Sequence, residues 1–313
     1  MKKTFKEFDC IILMGSMSLR PLFLIGSQIL IKQRKKFIIY FRATSSHRPF
    51  SDSLDNLIDL ELEKMDEEMA SVLNSPYSVI VVNSQAMRKD LLKIYPDSIS
   101  KEIYISYPGA VWPKAIPLLK KPTNNKFIFV NVGGMFVDKG GLFLWEAFYH
   151  LHNELLGMNY GKQVELHIVG NGELNKIFHS LTEEFLLSDS IFFYGNVEHD
   201  KVFECMSNSH LLVHPTLTES FGNVIVEALG IGLPVISSDF EGTKEILEDG
   251  GRGILVPRAD SWKLKEVMKT AVVDDNFYEE ICKKVDANRV REKYDISSQS
   301  ETLLDIMYKE KLC

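Results

Sequence analysis

Cysteine is scarce and scattered. The four residues, Cys10, Cys205, Cys282 and Cys313, form no CxxC pair, which argues against a disulfide framework or a thiolate metal site and fits a reduced, cytosolic protein. No HExxH or comparable ligand cluster stands out among the eight histidines, so neither a metal nor a resident cofactor is expected. No apolar run reaches the roughly 20 residues that a spanning helix needs. An excess of positive charge is missing too: 36 Lys and Arg stand against 43 Asp and Glu, a net charge of -7. Nothing therefore draws the chain as a whole to nucleic acid or to an anionic membrane. The opening, MKKTFKEFDCIILMG, begins like a signal peptide, but Glu7 and Asp9 interrupt its cationic part and Arg20 its apolar part, against that reading.

What is present is an ordinary globular composition, 45% hydrophobic and 25% charged, over 313 residues, enough for two domains. The most informative stretch runs from His214 to Ser238, HPTLTESFGNVIVEALGIGLPVISS. A short apolar strand closes at His214, which reads as structural. Pro215, Thr216 and Thr218 make a turn, Phe221-Gly222-Asn223 opens a helix, Gly230 and Gly232 stop it, and Pro234 starts another strand. Glu219 falls in the loop and Glu227 about two turns into the helix, among apolar neighbours. A helix N-terminus offers free N–H groups and the positive end of a dipole, which suits phosphate. Gly222 removes a side chain where a ligand would approach the backbone. Two carboxylates beside such a terminus suit hydroxyl groups, and a sugar nucleotide has hydroxyls at both ends with a diphosphate between them.

The spacing of Glu219 and Glu227, followed by Ala-Leu and then Gly-Leu-Pro-Val-Ile, resembles the signature of glycosyltransferase family 4. These are retaining enzymes of the GT-B type, with two Rossmann-like domains facing a cleft. The resemblance implies that Glu219 contacts the donor sugar and Glu227 the ribose hydroxyls, with Ser220, Phe221, Gly222 and Asn223 beside the donor. The segment Gly133-Gly134-Met-Phe-Val-Asp-Lys139-Gly140 follows an apolar strand and resembles the family's vGr-x-x-x-x-KG segment, which makes Lys139 the diphosphate contact. The usual Arg is replaced by Gly134, so half of the common cationic pair is absent. Gly170-Asn-Gly resembles the family's strand-end glycine turn, and Asn196 and Val197 stand where the backbone meets the nucleobase. In the polar loop after the strand near 37–41, Arg42 stands where a His often lies beside the reacting sugar, and His47 follows; either could reach an acceptor or phosphate.

The domain organisation read from these features is a shortened N-terminal acceptor-side domain over 1–113, a linker over 114–126, and a nucleotide-sugar-binding domain over 127–292. A C-terminal helix over 293–313 is expected to pack back on the first domain. Strands are expected near 9–14, 37–41, 79–83 and 103–106, one long helix over 53–73, and another over 277–292. Family members usually begin with a strand and a Gly-rich loop upstream of anything seen here. The chain is therefore a truncated frame, a naturally short member, or one whose cleft a partner chain completes. The basic run Lys32, Arg34, Lys35, Lys36 reads either as cations at a helix C-terminus or as a patch meeting a membrane surface or anionic acceptor. The expected function is a metal-independent transferase moving a sugar from a nucleotide-sugar donor to a glycan or lipid-linked acceptor. It would act in the cytoplasm or at the inner face of the membrane. The alternative is a nucleotide-sugar-binding subunit that needs a partner.

Overall fold

The computed structural model describes residues 11–16, 20–43, 67–95, 99–119 and 125–312. The chain divides into two units, Met1–Gly109 with Ile296–Cys313, and Ala110–Asp295.

The described part of the first unit is built on a parallel sheet of four strands in the order β1 (Ile12–Ser16), β2 (Phe37–Ala43), β3 (Ser78–Val82), β4 (Ile103–Ile105). The run Phe37-Ile-Ile-Tyr-Phe41 is apolar but for the Tyr40 hydroxyl, as suits a strand covered on both faces. Side chains alternate across a strand. Phe37, Ile39, Phe41, Ile80 and Val82 accordingly enter one core, with Leu24 and Leu30 of α1 (Arg20–Lys32), Met69 and Leu73 of the helix at 67–73, and Met87 and Leu91 of α2 (Gln85–Ile94). Ile38, Tyr40, Val79 and Val81 enter a second core on the other face, closed by Ile306 and Leu312. The C-terminal helix, Ile296–Lys309, supplies that cover. It is pinned by polar contacts: Tyr40 Oη donates to Ser106 O at 2.6 Å and accepts from Gln299 Nε2 at 3.1 Å, and Tyr104 Oη donates to Glu310 at 2.7 Å. Of the long helix expected over 53–73, only 67–73 falls within the described residues, and that part is helical.

The second unit is a six-stranded parallel sheet in the order β10-β9-β8-β5-β6-β7. Its strands are β5 (Lys126–Val132), β6 (Gln163–Val169), β7 (Ile191–Gly195), β8 (Leu211–His214), β9 (Val235–Ser238) and β10 (Ile254–Val256). The chain builds outward from β5 through β6 to β7, then returns to pair β8 with the opposite edge of β5, matching Phe129 with Leu211. That reversal makes the carboxyl ends of β5 and β8 the switch point, where open α/β sheets leave a crevice for ligands. Helices α3 (Gly141–Gly157), α4 (Asn175–Glu184), α5 (His199–Ser207), α6 (Asn223–Gly230) and α7 (Glu241–Leu247) connect the strands. Residues 110–113, expected as the end of the first domain, belong to this unit. Ala110 N donates to Tyr294 O at 2.7 Å, and the Trp112 ring sits so close to Gly230 that a Cβ there would lie 2.3 Å from it.

Three helices complete the unit: α8 (Ser261–Val273), α9 (Asp275–Lys283) and α10 (Ala287–Tyr294). Asp260, Asp274 and Asp286 accept backbone N–H bonds at their starts. The single helix expected over 277–292 is thus two, because Asp286 caps a new start instead of continuing the old turn.

A chain ending at Asp295 is expected to leave Ile38, Tyr40, Val79 and Val81 uncovered, at roughly 1.5–3 kcal/mol for each large side chain exposed. It should bind a hydrophobic dye and lose the cooperative melting of the first unit while the second unit melts as before. Unchanged melting of both units would show that the helix contributes nothing.

Candidate functional site

Two loops meet at the switch point. The first leaves β5 through Gly133, makes a tight turn at Val137–Lys139, and enters α3 at Gly140. The second leaves β8 at His214 and runs through Pro215 to Gly222 into α6. Leu217 N donates to Asp138 O at 2.8 Å, and Thr216 Oγ1 to the same oxygen at 3.3 Å. Gly140 has φ +69°, and a Cβ there would lie 1.9 Å from Pro215 O. Only glycine allows that approach, since the clash is with backbone and cannot relax by a rotamer change.

The approach brings Lys139 to Glu219, with Nζ 3.1 Å from Oε2. Asp138 Oδ2 lies 3.8 Å from the same ammonium. From the other side His214 Nε2 faces Glu219 Oε2 at 3.5 Å. Glu219 is therefore not a solvated loop charge: its side chain is 17% exposed and held between two basic groups. Burial alone would push its carboxyl up. The contact with His214 and the charge of Lys139 outweigh burial and hold it well down, at about 2.

Glu227 has a different setting. α6 begins at Asn223, so Glu227 lies just over one turn into the helix, closer to its N-terminus than the expected two turns. Its Oε1 is 3.1 Å from Nε2 of His199, the first residue of α5. Burial pushes the Glu227 carboxyl up, against the lowering effect of His199. The His199 ring in turn meets Phe203 edge-on at 5.0 Å.

The remaining expected residues divide by role. Gly133, φ +141°, faces open space, since an added Cβ would meet nothing within 4 Å. Gly134 packs over the Phe136 ring, which an added Cβ would approach to 2.4 Å. Gly170 has a packing reason of its own, with a Cβ position 1.8 Å from Gly133 O. Phe221 is buried, its ring 5.6 Å from that of Tyr294, and anchors the loop. Ser220 is half-buried and Asn223 exposed. Gly222, φ +97°, caps α6 without a side-chain hydrogen bond, as Gly140 caps α3. The first N–H groups of both helices thus have no side-chain cap. Asn196 and Val197 follow β7, at the far edge of the sheet from β10. Arg42 is exposed at the end of β2 in the first unit, with Nη1 3.9 Å from Met14 Sδ; His47 lies outside the described residues. Among the described residues no group of three or more His, Cys, Asp and Glu side chains is placed to hold a metal ion.

Sequence reasoning passed over two histidines. His199 carries no motif. His214 reads as structural beside Pro215, and its one signal was its place as the polar last residue of a buried strand, three residues past the start of β8.

Glu219 ionises at a lower pH in the folded chain than its ordinary 4.5. Its pairing therefore stabilises the fold above that value and is lost as pH falls from there towards 2. The stability difference between the wild type and Glu219→Gln should shrink by about 2 kcal/mol between about pH 6 and about pH 3 in denaturant titrations. A difference independent of pH would refute the pairing.

A sequence profile described as glycosyl transferases group 1 matches residues 118–287. The phosphatidylinositol N-acetylglucosaminyltransferase gpi3 subunit of Schizosaccharomyces pombe is 31% identical over 156 residues, 47% of this chain and 32% of that protein. The phosphatidyl-myo-inositol mannosyltransferase of Mycobacterium leprae is 33% identical over 113 residues, 36% of this chain and 29% of that protein. These matches span about a third of the relatives' own length. The crystal structure of Anabaena Alr3699/HepE in complex with UDP is similar over 98% of this chain and 80% of that one, with a TM-score of 0.75 at 18% identity. Sucrose-phosphate synthase from Thermosynechococcus elongatus is similar over 98% and 76%, with a TM-score of 0.71 at 16% identity. The architecture, two parallel-sheet α/β units, is GT-B-like. The profile covers more than half of the sequence and falls within the unit that holds Lys139, Glu219 and Glu227, and on that match the chain belongs to the glycosyl transferases group 1 family.

Proposed function

We propose that the protein is a retaining, metal-independent hexosyltransferase of the family 4 kind, moving a sugar from a nucleotide-sugar donor to a glycan or lipid-linked acceptor. The observation that carries the reading is Glu219, buried and held ionised between Lys139 and His214 at the switch point of the second sheet. An ionised carboxylate fixed in place is a hydrogen-bond acceptor for sugar hydroxyls that needs no reorganisation during reaction. Lys139 and the uncapped N–H groups at the start of α3 suit the diphosphate, and Gly133 leaves the backbone open to it. Glu227, on the first turns of α6, takes the ribose hydroxyls. The backbone of 220–223 lines the donor, Gly134 and Gly170 shape the turn under it, and Asn196 and Val197 meet the base. UDP is bound in the Anabaena structure, which makes uridine nucleotides the first to test.

In the reaction the bond from the sugar's anomeric carbon to the diphosphate breaks, and a new bond to the acceptor oxygen forms on the same face. The acceptor proton passes to an oxygen of the departing phosphate. Lys139 and the α3 dipole offset the charge that develops on that group. Arg42 and His47 are the first unit's candidates for acceptor or phosphate contact. The reaction uses no metal or resident cofactor. A cytoplasmic setting, at the inner face of a membrane when the acceptor is lipid-linked, suits the basic run after α1.

A second reading is a nucleotide-sugar-binding subunit completed by a partner chain. It is favoured by the span of the matches, about a third of the relatives, and by the name of the Schizosaccharomyces relative as a subunit. Sugar transfer by the purified chain alone would exclude it, and transfer only on adding a partner would favour it.

Calorimetry with UDP, GDP and ADP should find one nucleotide that binds selectively. Glu227→Ala should weaken that nucleotide at least tenfold, about 1.4 kcal/mol. Unchanged affinity would reject the ribose role. Lys139→Ala should lower transfer by about a hundredfold, on the scale of losing one electrostatic stabiliser, and wild-type turnover in that variant would reject its role at the diphosphate.

A further inference from the structure

The cluster at the switch point poses an electrostatic problem for the ligand proposed for it. One ammonium, Lys139, is shared between the carboxylates of Asp138 and Glu219, so these three groups carry a net charge of -1. A nucleoside diphosphate adds negative charge to a site that is already anionic. Like charges a few ångströms apart repel strongly where the effective dielectric is well below that of water. If the phosphate draws the ammonium towards itself, Glu219 is left buried without its partner, which is more costly than leaving it exposed.

His214 is placed to resolve this. The residue is 5% exposed, and its Nε2 is buried with no hydrogen-bond partner. That nitrogen faces Glu219 Oε2 at 3.5 Å, beyond a normal hydrogen bond but close enough to become one with a small movement. Its backbone is fixed on one side by Ser237 Oγ, which donates to His214 O at 2.9 Å. On the other side Asn131 Nδ2 donates to Val213 O at 2.8 Å. Both of these neighbours are neutral. The charged groups around it are Glu219 on its own loop, Lys139 and Asp138 on the loop after β5, and Arg258 after β10, whose Nη1 donates to Leu217 O at 3.2 Å.

We propose that His214 is a positioning residue that takes up a proton when the donor binds. As the diphosphate recruits Lys139, one proton from solvent adds to Nε2 of His214. The resulting N–H donates to Glu219 Oε2 and replaces the ammonium as its cationic partner. Glu219 thus stays ionised and fixed for the sugar, while Lys139 is released to the phosphate. No covalent bond other than N–H forms, and the proton returns to solvent when the nucleotide leaves. The inference rests on the donor-binding reading above and adds to it a linkage between nucleotide affinity and pH.

The test is calorimetry of the full chain with UDP, GDP and ADP, in buffers of different ionisation enthalpy. Wild type should take up net protons on binding nucleotide, at most one per nucleotide bound, and its affinity should fall as pH rises. His214→Gln keeps a hydrogen-bonding side chain but does not titrate. It should bind about ten- to hundredfold more weakly, the scale of one charged hydrogen bond, with no proton uptake and a flat pH profile. A purely structural histidine would change affinity without changing the proton count. Nucleotide binding by wild type without proton uptake overturns this inference and leaves the donor site standing. Uptake that persists in His214→Gln also overturns it. Failure of all three nucleotides to bind overturns both. Absence of proton uptake by the wild type overturns the inference even if His214→Gln does not fold, and His214→Asn then serves as the non-titrating variant.

Discussion

A single ion pair, Lys139 with Glu219, organises the second unit's carboxyl edge. Neither partner is near the other in sequence, and each sits on a loop whose own backbone is too short to form a core. The pair forms because the two loops are brought to backbone contact, Leu217 against Asp138 and Gly140 against Pro215. A side chain on Gly140 would push the loops apart, and the ammonium with them. The pair also places a largely buried carboxylate beside an ammonium and a histidine, which is why its ionisation is favoured where burial alone would oppose it.

The two carboxylates of the motif are held by different physics. Glu219 lies between a lysine and a histidine and is acceptor-only throughout the ordinary pH range. Glu227 has one partner, His199, and burial raises it. A ligand with hydroxyls at both ends meets two acceptors of unequal character, one fixed by charge and one supported by a single hydrogen bond from a half-exposed ring. The loops after β5, β6 and β7 are joined to one another by backbone hydrogen bonds from Gly133 N to Val169 O, Met135 N to Asn171 O and Gly170 N to Gly195 O.

Much of the fold was legible because parallel strands buried on both faces are long apolar runs. Phe37 to Phe41 and Phe127 to Val132 could be recognised by that feature alone. The strand–loop–helix–strand order around Glu219 was equally plain from Pro215, Gly222 and Gly230. Helix ends were less so. The stretch after Phe277 looks continuous, yet Asp286 starts a new helix, because a local side-chain cap competes with one more turn and periodicity does not register it. Ala110 to Pro113 read as the end of the first domain, but Trp112 packs against Gly230 of the second unit, more than a hundred residues away, and no local pattern encodes such a contact. The histidines were the main omission at the site. His214 and His199 are isolated in sequence and acquire meaning only from the carboxylates that face them.

By itself the sequence determined the parallel α/β class of the fold and the positions of most strands, which follow from local chemistry: hydrophobic period, turn residues and the glycines at strand ends. The two glutamates and the lysine were singled out by their resemblance to a family motif. Tertiary structure alone decided that Lys139 and Glu219 are partners and that His214 faces the same carboxylate. Each of these depends on strand order. Once β8 pairs with the far edge of β5, loops some eighty residues apart are set side by side, and a charge that would be solvated in the unfolded chain becomes a buried one with two partners.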